Sequence, residues 1–173
     1  MREDHNRSGD MESLELFAVL MIQHGFNCLL YGEKGDGFDI TGARKGVVYL
    51  FNLKQRNFPS TKYNDLVLDK ADFDALKWAQ GNNLGSKAAY VQFFTDGYVF
   101  ISNAKGWEET TLDCPRTTRF GDNETVRKTI MRKPQDARGV KRIDLGKVSL
   151  DGMMDIYGLK KQRKIWRQAR ASS

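Results

Sequence analysis

Apolar residues at positions 14, 17, 18, 20, 21 and 22 fall on one broad helical face, and they predict a helix over 13–25 that Gly25 ends. The run 26–31 reads as a strand. Three glycines then mark 32–37 as a turn or loop, and 38–41 resumes extended structure. Residues 42–46 form a hairpin connection into 47–53, an apolar, β-branched strand. The polar stretch 57–65 contains Pro59 and predicts a loop. Residues 70–80 predict a second helix, with Phe73, Leu76 and Trp78 on its apolar face and Trp78 in the core. The runs 88–94 and 98–102 pair around Thr95, Asp96 and Gly97, a strong hairpin signal.

The order of helix, three strands, helix and two strands predicts an α/β fold: a central mixed sheet of about five strands flanked by helices. Beyond Asn103 the pattern predicts a short basic helix over 124–133, stopped by Pro134, and another over 159–170. The second carries Lys160, Lys161, Arg163, Lys164, Arg167 and Arg170 around Ile165 and Trp166. Trp166 is expected to pack rather than to stack on a base. The chain divides into an N-terminal tail (1–10), a domain over 11–113 and a basic C-terminal extension over 114–173.

Composition narrows the class of protein. Hydrophobic residues make up 40% and charged residues 29% of the 173, as in an ordinary globular protein. No apolar run is long enough to span a membrane, and the polar N-terminus lacks a secretory signal. Cys28 and Cys114 have no CxxC partner, which argues against a zinc site and for a reduced, intracellular setting. That setting is the cytoplasm or nucleoid, or the host cell for a viral protein.

The net charge of +6 is unevenly spread. Residues 1–113 hold 12 Lys/Arg against 16 Asp/Glu, a balance of −4, and residues 114–173 hold 16 against 6, a balance of +10. A basic segment joined to a mildly acidic one points to an anionic partner, nucleic acid first among them, although a basic surface can also serve solubility alone.

The chemistry concentrates in Asp39 and in the triplet Asn52, Leu53 and Lys54 at the end of the apolar strand. Alternation puts residues 52 and 54 on one face, and Asp39 can meet them from the neighbouring strand. Such a cluster offers hard oxygen ligands to Mg²⁺, with a lysine to orient water and offset phosphate charge. Glu15, Asp39 and Lys54 also have plainer readings: a solvated helix-face carboxylate, a turn residue and an edge-strand lysine.

These residues resemble the PD-(D/E)XK nuclease superfamily, and within it the Holliday junction resolvases of archaea and their viruses. That group has a glutamate on the first helix, a strand aspartate and a Glu-X-Lys triplet. Here the spacings are 24 residues from Glu15 to Asp39, 13 from Asp39 to Asn52 and 2 from Asn52 to Lys54. The likeness covers residues 11–103. It implies a restriction-endonuclease-like fold and an endonuclease that hydrolyses branched DNA, such as a four-way junction, as a homodimer. It also implies Mg²⁺ or Mn²⁺ held by Glu15, Asp39, position 52 and the Leu53 carbonyl, with Lys54 acting on the water and the phosphate. A restriction-like or repair nuclease on duplex DNA, or a non-catalytic DNA-binding protein, is the alternative.

Asn52 departs from the acid the resemblance implies. An amide offers an oxygen without a negative charge, so metal binding and catalysis should weaken. It is an introduced inactivating change, a tolerated natural ligand, or the mark of a domain that only binds DNA. Candidate DNA-binding residues are Gln55, Arg56 and Lys62 beside the site, and Lys160, Lys161, Arg163, Lys164 and Arg167 in the extension.

Overall fold

A computed structural model describes residues 4–148 and 159–172, with side chains from Ser13 onward and, in the last helix, from Lys161. The chain begins with helix α1 (Asp4–Gln23), which starts earlier than its apolar pattern predicts. Among the described residues, six strands form the main sheet. In spatial order they are β1 (Asn27–Tyr31), β2 (Ile40–Arg44), β3 (Val47–Gln55), β5 (Lys87–Phe93), β6 (Tyr98–Asn103) and β9 (Val140–Asp144). Neighbours are antiparallel except β3 and β5, so the central sheet is mixed, as the element order predicts.

A second, antiparallel sheet has the order β4 (Asp65–Asp69), β8 (Asn123–Pro134), β7 (Glu108–Thr117). Here the helix predicted over 124–133 is corrected, because the segment is strand β8, paired with β7 along its length and with β4 at its end. Thr125, Val126, Thr129 and Ile130 are β-branched and suit a pleated strand better than a helix. The division drawn between Asp113 and Cys114 falls inside β7.

Helices cover both faces of the main sheet. On one face Phe17, Leu20 and Met21 of α1 pack on Ile40, Phe51, Val91, Val99 and Ile143. On the other, α2 (Lys70–Asn82) buries Phe73, Leu76 and Ala79 against Leu50, Ala88, Tyr90 and Met131. Burying a side chain such as Phe73 or Leu76 is worth about 1.5–3 kcal/mol, which is what holds α2 to β3. Trp78 is the correction on this helix: the burial stripe runs 73, 76, 79, and Trp78 is 62% exposed.

The chain's end is part of this core. Trp166 of α3 (Leu159–Ala171) is 6% exposed and belongs to the α1-side cluster, as the packing reading expects. It presses on the hairpin turn at Gly97 (φ 79°), where a Cβ would lie 2.5 Å from the indole Cδ2, so only glycine fits. Arg170 locks the same corner. Its Nε donates to the Asp96 carbonyl at 2.8 Å, its two terminal nitrogens donate to the Asp144 carboxylate at 3.1 and 2.8 Å, and its guanidinium lies 4.0 Å over the Tyr98 ring. Among the described residues, no helix is long and apolar enough to cross a membrane.

Burial pushes the Asp144 carboxyl up, but hydrogen bonds from Arg170 and the Gly146 N–H, with the charges of Arg170 and Lys147, outweigh it and hold the group below its ordinary value. A depressed carboxyl adds stability that is complete above its unfolded value, about pH 4, and is lost as pH falls through the lower folded value. Arg170→Gln should therefore lower the urea midpoint at neutral pH and make its decline below about pH 4 shallower than in the parent. Acid limbs of equal steepness in the two proteins would refute this role for the pair.

Candidate functional site

Strand β3 carries the site because its two faces are divided between the two helices. Tyr49, Phe51 and Leu53 pack into the α1-side cluster and Leu50 into the α2-side cluster. Alternation therefore sends Asn52 and Lys54 toward α2. The Lys54 ammonium meets Asp72 of α2 there at 2.7 Å. Both side chains are about a third exposed, so the pair contributes no more than about 1 kcal/mol to stability. Asp72 lies in the first turn of α2, where the helix dipole favours an acid.

Asp39 sits where the β2–β3 ladder breaks. Regular pairing ends at Ile40↔Phe51. The Asp39 N–H donates to the Phe51 carbonyl at 2.8 Å, and its own carbonyl accepts from Gly32 at 2.9 Å. Its carboxylate then accepts the Leu53 N–H at 2.6 Å, taking the place of a strand carbonyl. Both backbone groups of a strand residue point to the same neighbour in such a ladder, so the Leu53 carbonyl faces this side too. Gly37 (φ 81°) lets the preceding loop close onto α2, since a Cβ there would lie 2.5 Å from the Ala75 carbonyl oxygen. The charge of Asp39 is thus fixed against β3 between Asn52 and Lys54.

Asn52 lies beside Tyr90 in the parallel pair, and its Oδ1 is buried without a hydrogen-bond partner. The Tyr90 hydroxyl is directed elsewhere, donating to the Phe73 carbonyl at 2.7 Å. Burial first, then the negative charges of Asp74 and Asp72, raises that phenol above its ordinary value. An orphaned buried acceptor costs about 1–3 kcal/mol and marks a position that a cation or donor can satisfy.

The remaining expected residues lie on α1, at the end of β3, in the loop after it and on α3. Glu15 is partly exposed on α1, in the layer across the sheet from Lys54 and Asp72. The Ser13 hydroxyl ties that helix to the end of β3, donating to Gln55 Oε1 at 3.1 Å. Among the described residues, no three of His, Cys, Asp and Glu are grouped to hold a metal ion. Arg56 donates to Gln92 Oε1 at 3.1 Å and to the Val67 carbonyl, and burial lowers its pKa against the opposing charges of Asp69 and Asp72. Lys62 is exposed. In α3, Lys161, Lys164 and Arg167 are exposed, whereas Arg163 turns inward to the carbonyls of Leu145 and Val148. The Lys160 side chain lies outside the described residues.

Sequence reasoning missed the role of Asp72, although an acid in the first turn of a helix that follows the site strand is a usable signal. It also missed Gln92, which is 1% exposed and pairs with Arg56; nothing in its local sequence marks it.

No protein-family model and no curated protein matches the chain. Among solved structures, the chain is similar to Hjc of Archaeoglobus fulgidus, a Holliday junction resolvase from an archaeal hyperthermophile. That match has 14% identity and a TM-score of 0.46, and covers 68% of this chain and 84% of that one.

If the Asp39 carboxylate replaces a ladder carbonyl, Asp39→Ala should cost about 1–3 kcal/mol in urea unfolding, the penalty of an unmet N–H. Asp39→Asn keeps an acceptor oxygen and should cost clearly less. Equal losses in the two variants would show that the Leu53 hydrogen bond is not what matters.

Proposed function

We propose that this chain binds branched DNA through a nuclease-type site on Asp39, Asn52 and Lys54, and that Asn52 keeps its phosphodiester hydrolysis slow. The observation that carries this reading is the meeting of three features at one strand end: the Asp39 carboxylate on the Leu53 N–H, the orphaned Asn52 Oδ1, and Lys54. The donors are all oxygen, namely the Asp39 carboxylate, the Leu53 carbonyl and Asn52 Oδ1. They fit a hard divalent ion, Mg²⁺ or Mn²⁺, with one negative charge fewer than two acids would supply. Asp39, Asn52 and Leu53 would hold it, and Glu15 of α1, whose neighbour Ser13 reaches the end of β3, is the further acid the resemblance implies. When bound, such an ion polarises a phosphoryl oxygen and makes water more acidic.

The protein's own part is to position the phosphate and neutralise its charge. Lys54 is held ready by Asp72 and can turn to a non-bridging oxygen, where a cation offsets the charge that develops on attack. Gln55, Arg56 and Lys62 flank the approach of the strand, and Lys161, Lys164 and Arg167 add long-range attraction from α3. Symmetric cutting of a four-way junction calls for two such sites, and hence a homodimer. The neutralisation of Lys54 by Asp72 favours a second reading, a module that binds DNA without cutting it.

One experiment separates the two. The protein, Asn52→Asp and Asn52→Glu are compared on a four-way junction and on a linear duplex of equal length, with Mg²⁺ or Mn²⁺. The parent should prefer the junction and cut it slowly. An acid at 52 should speed cutting by about a hundredfold or more, since metal-ion catalysis is worth several kcal/mol. In EDTA the acid variants should melt lower than the parent, because a second carboxylate faces Asp39, and Mg²⁺ should restore them. Binding without cutting in all three proteins identifies a binding module. Cutting by the parent as fast as by Asn52→Asp removes position 52 from the metal site.

The α3 contribution is read from salt dependence. Changing Lys161, Lys164 and Arg167 to Gln should flatten the log–log salt slope of DNA binding by about one unit for each phosphate no longer neutralised. An unchanged slope assigns those side chains another role.

A further inference from the structure

We propose that the cleft between loop 56–64 and the β4–β8–β7 sheet seats one unstacked nucleobase of a DNA strand, with Tyr63 as its stacking face. This deepens the DNA-binding reading above and rests on it. The cleft has a volume of about 470 Å³ and is walled by Arg56, Phe58, Tyr63, Phe94, Leu112 and Arg132. That is within the range of small-ligand sites. It opens two residues beyond Lys54, so a strand whose phosphate lies at Lys54 has its next base within reach.

The loop is built to hold an exposed ring still. Tyr63 is 50% exposed and stands edge-on to Phe58, with ring centres 5.3 Å apart at 89°. The Asp96 carboxylate accepts from the Ser60 N–H at 3.0 Å and from its hydroxyl at 2.6 Å. The Gln135 amide donates to the carbonyls of Ser60 at 2.8 Å and Tyr63 at 3.0 Å. The Thr95 N–H donates to the Phe58 carbonyl at 3.2 Å. A segment fixed in this way loses little entropy when a ligand arrives. Lys62 lies 5.0 Å from the Phe58 ring centre and 5.2 Å from that of Tyr63, a cation beside the aromatic faces. Aromatic faces with cations at their rim are the chemistry that holds single strands, because every base has a π-face and every nucleotide a phosphate.

The second sheet continues the path. β8 pairs with β4 only as far as Asp69↔Ile130. From Thr111↔Thr129 to Thr117↔Asn123, β7 and β8 pair with each other alone. Alternation gives one face of this ribbon Leu112, Cys114 and Val126, in line with the cleft wall at Leu112 and Ile130. Phe120, at the turn, is 88% exposed. A two-stranded ribbon of this kind fits beside a nucleic-acid strand or in a groove.

Binding of a fluorescent thymidine oligonucleotide of about twelve residues, near the site size of such surfaces, tests the cleft. Tyr63→Leu should weaken it about tenfold, the loss of one base–aromatic stack, and Tyr63→Phe should restore it. In the unaltered protein, photocrosslinking to an oligonucleotide carrying 5-iodouracil should map to Tyr63, a readout that survives should Tyr63→Leu fail to fold. Oligonucleotide binding equal to the parent in Tyr63→Leu, no binding by the parent, or a crosslink outside the cleft overturns the inference. A four-way junction measured alongside keeps the two readings apart. Tyr63-dependent oligonucleotide binding without junction preference sinks the branched-DNA reading and leaves the cleft standing. Junction preference without a Tyr63 effect does the reverse.

Discussion

The parallel pairing of β3 with β5 is the constraint on which the rest of the molecule depends. Seven register pairs, from Tyr49↔Lys87 to Gln55↔Phe93, join the two strands. Parallel neighbours cannot be joined by a tight turn, so the chain must leave the sheet after Gln55 and return at Lys87. That excursion is the loop, β4 and α2. It lays α2 over the face of β3 that carries Leu50, Asn52 and Lys54, making Leu50 core and bringing Asp72 to Lys54. It also leaves β4 outside the main sheet, where β8 and β7 can add to it. The site and the cleft beside it are two consequences of one crossover.

Much of this was legible along the chain, because the signals are local. Residues 47–53 read as a strand from their β-branched, apolar run, two residues short of its observed end, and period-two alternation alone puts Asn52 and Lys54 on one face. Gly25 and the turn at Gly97 mark element ends by backbone conformation. The second sheet was hidden for a different reason. β8 sets β-branched and charged residues in doublets instead of alternating them, is exposed over its first half, and gains its hydrogen bonds from β7, its hairpin partner, and from β4, far away in sequence. Charge-rich composition without tertiary pairing looks helical. Trp78 misled for a related reason: helical spacing fixes which residues share a face, and Ala79 rather than Trp78 lies on the buried one.

The basic end of the chain shows how far net charge can be trusted. The excess of +10 over 114–173 counts every arginine as available to a partner. Arg170 is bound to Asp144, the Asp96 carbonyl and the Tyr98 ring, and Arg163 to two carbonyls. A planar guanidinium suits such internal forks, whereas the compact ammonium of Lys161 or Lys164 stays in water. The internal half of α3 fastens the last helix to the β5–β6 hairpin, and only its outer half can act at a distance.

At the site itself, charge balance explains how Asn52 is compatible with a stable fold. Asp39 and Asp72 bring two negative charges, and Lys54 and Arg56 bring two positive ones. With an amide at 52 the group is neutral before any ion arrives. With an acid it carries one excess negative charge, which a dication would relieve. The Lys54–Asp72 pair is partly in water and worth about 1 kcal/mol at most, so it does not trap the lysine. On the proposed function, a phosphodiester brought up against Arg56 and β3 would compete for that ammonium through a charge-assisted hydrogen bond. Asp72 thus holds Lys54 extended at the end of β3 at small cost, which on the proposed function would leave the ammonium free to turn to a phosphate.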